Sequence, residues 1–347
     1  MKILQDLSYS ELCALIKDLG EKPFRATQIY TALASGLDIN EISNIPNTLK
    51  EKLLLEYENS AVKVEQTLVS VDGTIKYLFL LSDGNIVEGV YMKNNYGNTQ
   101  CLSTQVGCRM GCKFCASGIG GLVRNLTAGE MLATVAKVNK INGGTIKNRA
   151  VTNVVLMGSG EPFDNYDNTV KFLKLISSDN GLNVSLRNIS LSTCGLVKEI
   201  YKFSEEGLPV NLTISLHQPF NERRKQLMPI ANAYSIEEIL KACAYYFEKT
   251  GRRYIFEYSL VKGENDTKEC ANELIKLLKG KPCHVNVIRL NEVKESGLKS
   301  TTEKEAYAFV GLLEKGGISA TVRRLNGADI DGACGQLRRN YIELKNN

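Results

Sequence analysis

The chain has 347 residues, of which 43% are hydrophobic and 23% charged, so it can bury one large core or a large and a small one. This ordinary globular composition excludes a disordered chain, and the formal net charge of +5 permits an RNA partner without requiring one. The N-terminal stretch lacks the features of a secretory signal and no run of about 18 apolar residues follows, so we expect a cytoplasmic protein without a membrane span.

The first part of the chain reads as helical and the next as β-sheet. Residues 1–60 contain amphipathic stretches such as "SYSELCALIKDLG", which opens with a capping Ser and closes with Gly. Residues 61–93 alternate β-favouring runs with Asp-Gly turns. We therefore expect a helical accessory domain followed by a small antiparallel meander that extends the main domain.

From about residue 94 to 333, short apolar runs alternate with amphipathic helices. The strand candidates are "QCLSTQV", "VTNVVLM", "NISLST", "VNLTISL", "YIFEYSL" and "HVNVIRL", and a last strand, "ISATVRRL", ends the series. Six successive βα units predict an α/β fold with a parallel sheet, either open and doubly wound or a partial barrel. In both architectures the active site lies at the carboxyl ends of the strands. We expect residues 334–347 to form a C-terminal tail.

The ten cysteines of a chain expected in the cytoplasm favour metal or redox chemistry over a disulfide framework. Three of them, Cys108, Cys112 and Cys115, stand in "CRMGCKFC" with CxxxCxxC spacing. That spacing is typical of an iron-sulfur cluster with one iron not bound by protein. Zinc with a distant fourth ligand, or three thiols without metal, remain alternatives.

The CxxxCxxC motif after the first strand of a βα repeat resembles the radical S-adenosylmethionine (SAM) superfamily, whose core is a partial (βα)6 barrel. The segments "CLSTQVGCRMGCKFCASG", "MGSGEPFDNYDN", "LSTCGLV", "TISLHQP" and "DIDGACGQLR" further resemble the RlmN family of dual-specificity adenine carbon 2 methyltransferases, which act on 23S rRNA and tRNA. Nearly the whole chain takes part in the resemblance. Ser159, Gly332 and a short loop after Asn291 depart from the family pattern.

The resemblance implies one 4Fe-4S cluster on the three cysteines, with SAM bound to its open iron. The residues implied to contact SAM follow the strand ends and are Gly160, Glu161, Ser192, Ser215, Leu216, His217 and Asn291. Gly160 allows close approach of the backbone, Glu161 can accept from an ammonium group, and the hydroxyls and the amide can bond carboxylate, ribose and adenine. From its position alone, His217 could equally be a turn residue.

The resemblance also implies a methylcysteine mechanism that uses two SAM molecules per turnover. Cys334 first receives a methyl group from SAM, and a deoxyadenosyl radical made from a second SAM abstracts a hydrogen from that methyl group. The methylene radical adds to adenine carbon 2, Glu88 accepts the carbon 2 proton, and Cys101 releases the product by forming a transient disulfide with Cys334. By residue type alone, Cys334 could be an exposed structural thiol, Cys101 a core residue and Glu88 a solvated acid.

The implied partners are 23S rRNA, tRNA and an electron donor such as flavodoxin or ferredoxin, and we expect a monomer. Basic residues near the strand ends are candidate RNA contacts: Arg124, Arg223, Arg224, Arg323, Arg338 and Arg339. Two alternatives stay open at this point. One is a sister enzyme that methylates carbon 8 of adenine, and the other is a zinc-stabilised RNA-binding protein without catalysis.

Overall fold

A computed structural model describes residues 1–327, 329, 330 and 337. Three helices, α1 (Tyr9–Asp18), α2 (Phe24–Ala34) and α3 (Asn47–Leu54), begin the chain. Helix α1 starts at a capping box in which Ser8 and Glu11 bond each other's backbone N–H groups. The apolar faces of the three helices pack on one another in a hydrophobic cluster of their own.

The predicted meander consists of β1 (Val62–Val69), β2 (Ile75–Leu81) and β3 (Ile86–Met92), paired antiparallel in chain order. Each turn between them carries an Asp-Gly pair, and Gly73 and Gly84 adopt φ values of 82° and 83°. Only glycine adopts this conformation without steric cost, which explains the turn positions. Strand β3 continues antiparallel onto β4, so the meander and the main sheet are one surface.

The segment "QCLSTQV", expected to form one strand, forms two. Strand β4 (Thr99–Leu102) joins the main sheet, while β5 (Gln105–Gly107) pairs with β6 (Leu122–Asn125) in a separate hairpin. At the break, the N–H groups of Thr104 and Gln105 both donate to the carbonyl of Ser159. The chain therefore turns away from the sheet here and leads into the cysteine loop.

The βα repeat follows as predicted. Its elements are α4 (Ala128–Ile141), β7 (Asn153–Leu156), α5 (Tyr166–Ile176), β8 (Ile189–Thr193), α6 (Val197–Glu205), β9 (Asn211–Ser215), α7 (Asn221–Leu227), α8 (Ile236–Thr250), β10 (Tyr254–Leu260), α9 (Lys268–Leu278), β11 (Cys283–Arg289), α10 (Glu303–Lys315) and β12 (Ala320–Val322). Capping boxes begin α4, α8 and α10, which accounts for the success of the sequence-based boundaries.

The strand order identifies the architecture. Within the described ranges, ten strands form one sheet in the order β1-β2-β3-β4-β7-β8-β9-β10-β11-β12. The pairs from β4 to β12 are parallel and follow chain order without reversal. A doubly wound sheet would reverse its order, whereas right-handed crossovers in sequential order put the helices on one face. The fold is therefore α/β and of the partial-barrel type.

The two faces of the sheet differ in character. The face toward the helices carries the main hydrophobic core, with Leu156, Leu191, Leu212 and Phe256 from successive strands. The opposite face lines the inside of the partial barrel with polar residues and a few methionines. Among the described helices, none is long and apolar enough to cross a membrane.

Candidate active site

The cysteine loop is held in place at both ends. The N–H of Cys108 donates to the carbonyl of Gly121 at 3.0 Å, and the N–H of Lys113 donates to the carbonyl of Leu227 at 3.0 Å. Phe114 packs its ring edge-to-face on the imidazole of His217, with centroids 4.7 Å apart. The loop is thus docked on the carboxyl end of the barrel, against α7 and the segment after β9.

The structure brings most of the predicted site residues to one cavity of about 230 Å³. Its walls include residues from the cysteine loop and from the ends of three neighbouring strands, β7, β8 and β9: Cys108, Cys112, Cys115, Gly160, Glu161, Ser192, Ser215 and His217. Cys194, which the sequence left unassigned, also lines it. We call this space the cluster cavity.

The three thiols of the CxxxCxxC motif suit a polynuclear cluster. Burial raises the pKa of Cys108 to about 11 and raises that of Cys112 further, and the neighbouring thiols add to both shifts. Cys108 and Cys112 are therefore protonated at neutral pH in the chain alone, and both lie near Cys115. Among the described residues, no three Cys, His, Asp or Glu side chains converge as the ligands of a single ion must. Thiols that bind different irons of one cluster need not converge in that way.

Glu161 ties two strand ends together beneath the cavity. Its carboxylate accepts from the N–H of Cys194 at 2.7 Å and from the N–H of Phe163 at 3.1 Å, while its own N–H donates to Gln105 Oε1 at 2.9 Å. Burial raises the pKa of this carboxyl, and the backbone N–H groups oppose the shift. The side chain therefore links the ends of β7 and β8 at the wall of the cavity.

Gly160 lies where a side chain has no room. Its φ is 111°, and a Cβ atom there would lie 2.7 Å from the side chains of Gln105 and Thr104. Glycine is therefore required here by the close packing against Thr104 and Gln105 and by the backbone conformation. Close approach of a ligand to this backbone stays a prediction.

His217 is a buried, neutral residue with a defined hydrogen-bond role. Its Nδ1 accepts from the N–H of Ser259 at 2.9 Å, and its carbonyl accepts from Asn265 Nδ2 at 2.7 Å. Burial, with a contribution from the Arg224 charge, lowers the pKa of the imidazole to about 3. With Nδ1 accepting, the remaining proton lies on Nε2, so the ring can donate a hydrogen bond but not act as an acid at neutral pH.

Arg224 was expected on the RNA-binding surface, and that prediction is wrong. The side chain is 0% exposed, and its guanidinium donates to the carbonyls of Leu216 at 3.1 Å, Cys194 at 2.8 Å and Ser215 at 3.1 Å. It lies close enough to Cys112 and Cys194 to affect their pKa values. Arg223 and Arg224 are adjacent and identical in type, so the sequence does not indicate which of the two side chains is buried.

Of the other four residues implied to contact SAM, two line the cluster cavity and two do not. Ser192 and Ser215 are partly exposed at the ends of β8 and β9 and line the cavity. The Leu216 side chain is buried in the helix-side core, and its N–H and carbonyl are bonded to Glu257 and Arg224, so this residue does not line the cavity. Asn291 is exposed beyond β11 and is not part of the cavity wall.

Glu88 and Cys101 lie on neighbouring strands and point to the same face. Val90 of β3 pairs directly with Cys101 of β4, so these two side chains lie on the same face of the sheet. Glu88 is two residues from Val90 on β3 and therefore lies on that face as well. That face also carries Met92, which lines the inside of the barrel. Glu88 is only 4% exposed and forms an ion pair with Lys76 at 3.2 Å. The solvated-acid alternative for Glu88 is therefore wrong.

Cys334 lies outside the described residues, as do Arg338 and Arg339. The chain just before it is anchored on the meander: the N–H of Gly327 donates to Asp72 Oδ2 at 2.9 Å, and Asp329 accepts from Ser70 and from the N–H of Val71. Leu337, three residues after Cys334, packs with Leu78 and Ile86 on the face that carries Glu88.

The other candidate RNA contacts have their own partners in the chain. Arg124 forms a two-pronged ion pair with Glu130 and a further pair with Asp83. The exposed Arg223 pairs with Glu269 at 2.9 Å. Arg323 lines the cluster cavity and is 3.7 Å from Glu257. Of Arg124, Arg223 and Arg323, only Arg323 lines the cluster cavity.

Comparison with known proteins gives the family. The family model "Radical SAM superfamily" matches residues 102–278, and "Ribosomal RNA large subunit methyltransferase N-terminal domain" matches residues 3–58. A probable dual-specificity RNA methyltransferase RlmN of Lachnoclostridium phytofermentans is 51% identical over 98% of this chain and 95% of its own length. The probable RlmN of Clostridium perfringens strain SM101 is 51% identical over 99% of both chains.

Solved structures agree with this result. The crystal structure of a radical SAM methyltransferase from Sphaerobacter thermophilus superposes with a TM-score of 0.92 at 38% identity, covering 97% of this chain and 99% of that chain. Both the identity and the coverage are well beyond what a shared fold alone requires. The chain therefore belongs to the RlmN family of radical SAM RNA methyltransferases.

Proposed function

We propose that this enzyme methylates carbon 2 of adenine in the peptidyl transferase centre of 23S rRNA and next to the anticodon of tRNA. One observation supports the proposal most strongly. The three clustered thiols share a cavity with the strand-end groups implied to hold SAM, and Arg323 joins that cavity to the barrel interior, whose face carries Cys101 and Glu88. The names of the relatives support the RNA substrate class.

Cys108, Cys112 and Cys115 would hold a 4Fe-4S cluster, and Gly160, Glu161, Ser192 and Ser215 would bind SAM beside it. With the cluster and SAM bound, the site would supply a methyl donor. After one-electron reduction of the cluster by a donor such as flavodoxin or ferredoxin, it would also supply a carbon radical. The protein's own contribution is to position both ligands and to keep water out. Buried backbone and side-chain hydrogen bonds around Glu161 and His217 give the site the required rigidity.

Cys334 would carry the methyl group as a thioether, because carbon 2 of adenine is too electron-poor to attack SAM directly. After the methylene radical has bonded to carbon 2, the adduct would have to lose one electron, which the oxidised cluster could take back, and the carbon 2 proton, which Glu88 would accept. The Glu88 side chain is buried and forms an ion pair with Lys76 on the face that carries Cys101.

Cys101 would complete the cycle by attacking the Cys334 sulfur. This breaks the bond between the Cys334 sulfur and the methylene carbon and forms the Cys101–Cys334 disulfide. The carbon leaves with the bonding electrons and takes up a proton to become the methyl group, and an external thiol must then reduce the disulfide. Cys101 is buried among Val90, Met92, Val155 and Met157. Such apolar surroundings protect a thiol from other oxidants between turnovers.

Mass spectrometry of nucleosides tests the proposal. RNA lacking the modification is incubated with the reconstituted enzyme, SAM and reductant, and 2-methyladenosine is the expected product in both RNA classes. Finding 8-methyladenosine alone would identify the sister activity instead. A colourless zinc protein that never cleaves SAM would contradict the enzyme mechanism altogether.

A further inference from the structure

A second, larger cavity of about 710 Å³ occupies the inside of the partial barrel, and we call it the polar chamber. Four asparagines line its wall, at the start of β7, just before β8, at the start of β9 and within β11: Asn153, Asn188, Asn211 and Asn286. The last three each donate one amide hydrogen bond within the chain, to the carbonyls of Thr152 and Arg187 and to Glu257, respectively. Amides both donate and accept hydrogen bonds, as the edges of nucleobases do. Arg187 and Arg324 add positive charge to its lining. These features suit a nucleotide better than an apolar ligand.

The polar chamber meets the cluster cavity at a short boundary. Met157, Glu257 and Arg323 line both spaces. Glu257 lies in β10, between Ser215 of β9 and Asn286 of β11 in the strand register. Its side chain is therefore at the point where a base in the chamber would come closest to a ligand in the cluster cavity.

The two carboxylate oxygens of Glu257 differ in their hydrogen bonding to the described residues. Asn286 Nδ2 donates to Oε1 at 3.1 Å. Among the described residues, none donates a hydrogen bond to Oε2, although this atom is buried. The nearest cation, the Arg323 guanidinium, is 3.7 Å away, which is an ion-pair distance and not a hydrogen bond.

A buried carboxylate oxygen without a donor is costly. Such a group loses its hydration without gaining a replacement hydrogen bond. Burial raises the pKa of Glu257, and the nearby Arg323 opposes that shift. The group is thus poised to gain from a ligand that brings a hydrogen-bond donor into the chamber.

Adenine offers a specific donor to such an oxygen. Its exocyclic amino group donates, whereas guanine and inosine carry an acceptor oxygen at the same position, which a carboxylate repels. We propose that Glu257 determines base specificity, with Oε2 accepting a hydrogen bond from the amino group of the substrate adenine in the polar chamber. This inference rests on the proposed function and assigns the part of the site that recognises the base.

The test uses two RNA fragments of the peptidyl transferase centre that differ only at the target, which is adenosine or purine riboside. Purine riboside lacks the amino group and keeps carbon 2. The comparison is made with wild-type enzyme and with Glu257→Gln. Asn286 Nδ2 donates to the Oε1 position, so the amide oxygen of the Gln variant would occupy that position. The amide NH2 group would then take the Oε2 position and face the base.

For wild-type enzyme we expect kcat/KM to favour adenosine, and for Glu257→Gln we expect that preference to shrink at least tenfold. Taking the ratio cancels any difference in intrinsic reactivity between the two bases. SAM affinity, measured by equilibrium dialysis, should change less than twofold. Glu206→Gln, which alters a carboxylate at the end of α6, is the matched control and should keep the wild-type preference.

An unchanged preference in Glu257→Gln, or a tenfold loss of SAM affinity, would overturn the assignment. So would a wild-type enzyme that shows no preference between the two RNAs. If wild-type enzyme instead fails to methylate the adenosine fragment at carbon 2, the proposed function itself is contradicted. The two failures are therefore distinguishable.

Discussion

Lys76 and Glu88 form an ion pair at 3.2 Å on the meander face that adjoins Cys101, and both side chains are nearly inaccessible to solvent. Removing one member of a buried pair leaves the other charge uncompensated, at roughly 3–5 kcal/mol. We therefore expect Lys76→Met to lower the free energy of unfolding by about that amount, measured by urea denaturation of the metal-free protein.

The double variant Lys76→Met with Glu88→Gln serves as the control for this loss. It removes both charges, so its stability should recover most of the difference. It should still fail in methyl transfer, because the proposed proton acceptor is gone. Equal destabilisation of the single and double variants would show that the charge of Glu88 is not what Lys76 compensates.

His217 should make the stability of the metal-free protein depend on pH. Its folded-state pKa, about 3, lies below the unfolded value near 6.5. The unfolded chain therefore binds more protons below pH 6.5, and stability falls as the pH drops from 6.5 toward 3. Between pH 6.5 and 5 we expect a loss of roughly 1.5 kcal/mol from this group.

His217→Asn isolates that contribution. Asparagine tolerates the φ of 54° at this position and its side-chain oxygen can accept from Ser259, but it does not titrate. The difference in unfolding free energy between wild type and variant should change with pH over this window. A pH-independent difference would mean that His217 is not held neutral by the fold.

The anchoring of the C-terminal segment by Asp72 should matter for methyl transfer and not for SAM cleavage. Asp72 accepts from the N–H of Thr74 in its own turn and from that of Gly327. Asp83 holds the other meander turn by accepting from the N–H of Asn85. We expect Asp72→Ala to slow RNA methylation several-fold while reductive SAM cleavage continues, as measured by liquid chromatography of both products.

Asp83→Ala is the matched control, since it loses the same kind of turn hydrogen bond at a position with no contact to Gly327. Its methylation rate should stay above that of Asp72→Ala. Equal slowing in the two variants would assign the effect to meander stability and not to the anchored segment.

Cys101→Ala should trap the enzyme on its RNA. If Cys101 attacks the Cys334 sulfur to release the product, its loss leaves the base covalently joined to Cys334. Denaturing gel electrophoresis with labelled RNA should then show a protein–RNA adduct. Turnover without any adduct would contradict the assigned role. Cys243→Ala, a buried helix-side cysteine, is the control that should release product normally.

The sequence predicted the strand and helix series well because capping residues and apolar runs are local signals. It did not predict that "QCLSTQV" breaks at Ser103, since the cause is a distant carbonyl, that of Ser159, which takes both following N–H groups. The doubly wound alternative could be rejected only from strand order, which depends on pairing between distant segments.

The site residues also divide into those that local sequence patterns predict and those that depend on contacts between distant segments. The CxxxCxxC motif and the strand-end groups around Glu161 were visible as local patterns. Three other features were not visible: the inward turn of Arg224, the Glu257 oxygen that lacks a donor among the described residues, and the ion pair of Lys76. Each depends on which residues other strands bring near. Charged residues are normally exposed, so their burial is the signal that only the structure provides.

The most direct test of the central claim follows the methyl hydrogens. Enzyme is first loaded with SAM carrying a CD3 group, separated from excess reagent, and then given unlabelled SAM, reductant and RNA for a single turnover. If the methyl group passes through Cys334, one deuterium should appear in 5′-deoxyadenosine and two in the new methyl group of 2-methyladenosine. A product methyl group that keeps all three deuterium atoms, or carries none, would contradict the account.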